Sequence, residues 1–196
     1  KDSSKIEEAL KEVEKYISIG NPVTRDRELI EMGECVNCKS LDNRVSVYIL
    51  IEVLKGLKNI QIPVDFYAVF SVQEEVGLRG AKMAAHSINP DFGFGLDTTI
   101  AFDVPGASAH EKITSLGEGV AIKIMDTSAI ADIRMVRYLK NIADENQIQW
   151  QPEILTGGGT DTAAIQSMSK NAVVGAISIP TRHIHQVIEM CHKKDI

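Results

Sequence analysis

Apolar residues recur at helical spacing near the start of the chain. Ile6, Leu10, Val13 and Ile17 share one face and Ser4 with Glu7 has capping-box spacing, which predicts an amphipathic helix over residues 4–18 stopped by Gly20-Asn-Pro22. From Val23 to Lys39 short apolar pieces are broken by Gly33 and by charges, the pattern of strands in a small β-rich element or a connection. Leu41 to Leu54 is too continuously apolar for a surface helix and suits one buried under a sheet. Ile62 to Val72, rich in β-branched and aromatic residues, predicts a central strand. Helices are expected over Gly77–Ile88 and Ile130–Glu145, and strands over Phe92–Asp97, Val120–Met125 and near Trp150. Gly157 to Asp161 reads as a turn opening a helix through Gln166, Ala172–Ile179 as a buried strand, and Ile184–Lys193 as a closing helix. This alternation over residues 40–196 predicts a layered α/β domain with a mainly parallel sheet.

Composition narrows the partners. The 196 residues are 44% apolar and 24% charged, enough for one sizeable core. A net charge of -6 without a basic cluster longer than Lys193-Lys194 argues against nucleic acid and anionic membranes as partners. No run approaches the roughly 18 apolar residues of a membrane helix, and the charged start is unlike a signal peptide, so a cytoplasmic location is expected. Three cysteines cannot pair completely, and Cys35-Val-Asn-Cys38 has no second pair, so it reads as structural or incidental. A first residue of Lys rather than Met points to a cut, processed or incomplete start.

The candidate chemistry lies at predicted element ends. Glu74 and Glu75 follow the predicted central strand, where open α/β sheets place ligands. Adjacent acids there repel and lose solvation, so they call for a cation or hydrogen-bond donors, although a solvated loop would also carry them. Asp42 precedes a buried helix, Asp97 ends the next strand, and His185 follows the strand ending at Pro180. Capping or turn chemistry would explain either Asp alone; together the five positions have the character of oxygen and nitrogen ligands for zinc, cobalt or manganese.

Ser40-Leu-Asp-Asn-Arg-Val45, Val72-Gln-Glu-Glu-Val-Gly-Leu-Arg-Gly-Ala81, Gly95-Leu-Asp97, Gly157-Gly-Gly-Thr-Asp-Thr-Ala163 and Ile179-Pro-Thr-Arg-His-Ile-His185 follow one another in this order. Together they resemble the successive signatures of the tetrahedral aminopeptidases, co-catalytic metallopeptidases of family 42, some of whose members are labelled endoglucanases. The resemblance implies a three-layer αβα, zinc-exopeptidase-like fold, present only in part. It implies two divalent metal ions (zinc, cobalt or manganese) bridged by Asp42, with a peptide bond after Asp42 that is often cis. Glu75 and His185 would hold one metal, Asp97 the other, and Glu74 would act as general base. His183 and Glu118 depart from the Tyr and Lys common in relatives. Gly157 to Asp161 would form a tight pocket wall whose N–H groups face substrate, while His86, His110 and His192 read as satisfied or surface histidines.

A His-x-Asp motif expected upstream is absent, and residues 1–38 resemble the tail of an inserted β-rich domain, leaving residues 39–196 as the C-terminal part of the catalytic domain. The implied function is removal of N-terminal residues from peptides by an enzyme that forms homo-oligomers, from dimers to dodecamers. Deacylation of other amides, or a non-catalytic assembly role, are the alternatives. The chain alone is expected to be inactive, to bind fewer than two metals, and to need a companion segment.

Overall fold

The computed structural model describes residues 3–196 and contains one open mixed sheet with five α-helices. The elements are α1 (Ser3–Val13), β1 (Ile30–Met32), β2 (Cys35–Cys38), α2 (Leu41–Leu57), α3 (Arg79–Ile88), β3 (Phe92–Ile100), β4 (Val120–Met125), α4 (Ile133–Glu145), β5 (Trp150–Ile154), α5 (Asp161–Met168), β6 (Val173–Arg182) and β7 (Glu189–His192). β6 is the spine. It pairs in parallel with β3 from Phe92↔Val173 to Ile100↔Thr181, and on its other edge meets β4 and β7, both antiparallel. β5 extends the β4 side in parallel, and the β1–β2 hairpin extends the β7 side. No helix among the described residues is long and apolar enough to cross a membrane.

Small residues let the helices close on the sheet. A Cβ at Gly93 or Gly95 would stand 2.6 or 2.2 Å from Ile165 and Thr162 of α5, and one at Gly175 would stand 2.5 Å from Met135 of α4. Gly175 is in register with Phe94, so α4 and α5 cover opposite faces of the sheet. Leu41 and Val45 of α2 pack on Ile179 and Cys191. α4 begins at Asp132, whose side chain accepts from the Arg134 amide, so the helix opens later than Ile130.

Two expected elements are replaced. Residues 62–72 are not a strand, because among the described residues no neighbouring strand offers them a ladder. Their apolar side chains, including Val64, Phe66, Tyr67 and Phe70, are exposed, as are Tyr48, Ile51 and Leu54 of α2. The closing helix is also absent. His183 and His185 have φ of 56° and 64°, which breaks a right-handed helix, and the chain turns through 183–188 before β7. Glu189 and Cys191 are buried while Met190 and His192 are half-buried, a period-two pattern too short to outweigh the helical spacing of Ile184 and Ile188. Elsewhere the difference lies in element ends: α1 stops at Val13, and β3 and β6 run on to Ile100 and Arg182.

A buried ion pair joins the strands. Lys123, 1% exposed, sits 2.6 Å from Glu153 Oε1 and 3.4 Å from Asp126 Oδ2, and Thr99 donates to the same Glu153 oxygen at 2.7 Å. Removing one partner strands the other in the core, so Lys123→Met should destabilise the chain by about 3–5 kcal/mol. Adding Glu153→Leu should restore most of that loss in urea unfolding; equal losses in the single and double variants would show that pairing is not what the site requires.

Candidate metal centre and its acidic rim

The chain leaves regular backbone where Asp42, Glu74, Glu75 and His185 are presented, while Asp97 lies within β3. Asp42 lies just inside α2 yet has φ −77° and ψ 106°, and its peptide bond to Asn43 is cis. Asn43 donates to the Leu96 carbonyl at 2.9 Å, tying this bend to the residue before Asp97. Glu74 and Glu75 follow Gln73, which has φ 58°, and the Glu74 carbonyl accepts from the amides of Gly77 and Leu78 at 3.0 and 2.9 Å. Gly80 closes this loop: its amide donates to the Val72 carbonyl, and a Cβ there would lie 2.5 Å from the Val72 nitrogen.

These bends bring Asp42, Glu75 and His185 together, with one potential ligand atom from each lying within 4.8 Å of the others. His185 Nε2 is 3.0 Å from Asp42 Oδ2 and 3.4 Å from Glu75 Oε2. Two carboxylates and an imidazole are a donor set suited to zinc, cobalt or manganese. Among the described residues no other group of this kind occurs. A cleft of about 530 Å³ opens over the three and is also lined by Arg25 and Lys39.

The family signature of the M42 glutamyl aminopeptidases matches residues 6–196. The chain belongs to the M42 glutamyl aminopeptidase family. A protein of Acetivibrio thermocellus is 39% identical over 190 residues, 97% of this chain and 55% of its own length. An aminopeptidase of the archaeon Desulfurococcus kamchatkensis is 40% identical, with a TM-score of 0.89 over 94% of this chain and 52% of its own. The Pyrococcus horikoshii TET1 peptidase, described as assembling into a tetrahedron or a large octahedral shell, is 33% identical with a TM-score of 0.78, over 96% of this chain and 54% of its own. This M42 chain therefore spans about half the length of the relatives it matches.

Asp97 stands outside the close group of three but within their field. It is buried, its Oδ1 accepts from the Thr98 amide at 2.8 Å, and burial together with the charges of Asp42, Glu74 and Asp161 pushes its carboxyl up to about 8. Burial, then Glu75, Asp161 and Asp42, raise Glu74 to about 7. Asp42, Glu75 and Asp161 are raised as well, each chiefly by burial. Asp161 enters by a contact not foreseen from the sequence, a hydrogen bond from the Ser71 hydroxyl.

Other expected roles fall away from the M42 cleft. Gly157 to Gly159 are not among its lining residues, Gly158 accepting from Thr127 and Gly159 facing Ser128, while Asp161 at the end of this stretch bears on the acidic rim through Glu74 and Asp97. Glu118 accepts from Gln149 and is not in the lining. Cys35 and Cys38 lie three apart on a strand and so point to opposite faces, which leaves them no shared ligand. Glu189, buried beside Asp42 and His185, went unrecognised because the helical spacing masked a short strand.

A carboxyl raised in the folded chain holds a proton that the unfolded chain releases above about pH 4. The folded state then binds more protons, and stability falls as pH rises toward the folded value. With Glu74 near 7 and Asp97 near 8, the metal-free chain should lose thermal stability from about pH 5 to 8. Asp97→Asn should flatten that fall. A midpoint that climbs with pH across this range would contradict the charge crowding.

Proposed function

We propose that this chain carries the greater part of the catalytic centre of a metal-dependent aminopeptidase that removes N-terminal residues from peptides. The observation that supports it best is the meeting of Asp42, Glu75 and His185 beside Glu74, in a chain of the M42 family. In this reading residues 39–196 belong to the catalytic domain and residues 1–38, with the β1–β2 hairpin, end an inserted one.

Asp42, Glu75 and His185 would hold one divalent cation, and Asp97 would hold a second that shares Asp42. Zinc, cobalt or manganese bound there acidifies water and polarises the peptide carbonyl. Glu74, whose carboxyl is raised to about 7 by burial and its acidic neighbours in the metal-free chain, takes a proton from the attacking water and returns it to the leaving amine. The free α-amine of a peptide would be a further ligand for a metal held there, one that an acetylated peptide no longer offers. The assembly described for the TET1 peptidase supports a homo-oligomer.

In a preparation that turns over peptides, Glu74→Gln should retain metal while kcat falls at least about a hundredfold. An unchanged kcat would remove Glu74 from the role. A peptide with a free amine should be hydrolysed far faster than its N-acetylated form; equal rates would favour a deacylase or general amide hydrolase instead.

A further inference from the structure

We infer that Glu189 is a positioning residue for this centre, one buried carboxylate that sets the gap between Asp42 and His185 by binding the backbone of both. The inference rests on the metal-binding reading above. Glu189 is 2% exposed. Its Oε2 accepts from the Asp42 amide at 2.9 Å and its Oε1 from the His185 amide at 2.7 Å. The two amides belong to segments 143 positions apart in sequence, since Asp42 and His185 lie 147 and 4 residues from Glu189. Neither sits on regular backbone: Asp42 has non-helical angles inside α2, and His185 has φ 64°. Their side chains are the pair that meets at 3.0 Å.

The strut is itself anchored. Glu189 opens β7 opposite Cys38 of β2, and the side-chain amide of buried Asn37 donates to the carbonyls of Ile188 and Glu189 at 2.7 and 3.1 Å. Arg27 in turn donates to Asn37 Oδ1. A carboxylate is what the geometry requires, because it offers an acceptor on each oxygen. The equally sized amide of Gln accepts on one side only and would present its own N–H groups to the other amide. Glu189 also adds negative charge beside Asp42, which favours a cation there.

The test is zinc binding to the 196-residue chain, by competition with a chelating dye, joined to the visible spectrum of the cobalt form. Glu189→Gln should weaken zinc about 10- to 100-fold, the scale for losing a group that orients ligands, and should alter the cobalt bands. Lys123→Met, destabilised at an ion pair that includes none of Asp42, Glu75, His185 and Glu189, should keep both the affinity and the spectrum, which separates positioning from general loss of stability. If Glu189→Gln does not fold, Glu189→Asp, one methylene short of spanning both amides, should show the same weakening. Unchanged zinc affinity in a folded Glu189 variant, or an equal loss in Lys123→Met, would overturn the inference while leaving the metal site standing. No zinc binding by the unaltered chain would overturn the metal reading, and the inference with it.

Discussion

Burial of several carboxyl groups together at one rim of the sheet is the constraint on which the site depends. Burial is the largest cause raising Asp42, Glu74, Glu75, Asp97 and Asp161, and each of them also raises, or is raised by, others of the set. Such a grouping opposes folding unless protons or cations compensate it. His185 supplies part of that compensation, lowering the carboxyls of Asp42, Glu74 and Glu75. A divalent cation would supply more, which is why the same residues read as a ligand set.

The rest of the fold holds these groups in place against their repulsion. β6 carries the sheet, and the glycines of β3 and β6 admit α5 and α4 close to it. From that frame three ties reach the rim: Asn43 to Leu96, Ser71 to Asp161, and Glu189 to the amides of Asp42 and His185. Each joins segments distant in sequence. The site is therefore built by tertiary hydrogen bonds at irregular backbone, with helices and strands supplying only the approach.

What was legible in the sequence follows from the range of each signal. The periodic run of α4 and the β-branched runs of β4 and β6 carry their own evidence of period and burial, whereas the continuous apolar run of α2 marks a helix but not its burial, since Tyr48, Ile51 and Leu54 are exposed. Asp42, Glu75 and His185 were recognisable as a set through five ordered motifs, and they meet in space. Residues 62–72 have the composition of a strand, but a strand is defined by its neighbours, and none flanks this segment among the described residues. β7 is four residues long, too short for alternation to outweigh the spacing of Ile184 and Ile188. Inside the predicted helix Ile184–Lys193, Glu189 carries no distinguishing spacing. Its role arises from two backbone amides, which leave no mark in side-chain patterns.

On the proposed reading, Asp42, Glu75 and His185 together bind a divalent cation. Crystals of the chain grown with zinc, measured above and below the zinc absorption edge, test it directly. An anomalous peak is expected at about 2.0–2.2 Å from His185 Nε2 and from an oxygen of each carboxylate, the usual zinc distances. Saturating zinc with no peak among these three residues, or a peak only at other side chains, would contradict it.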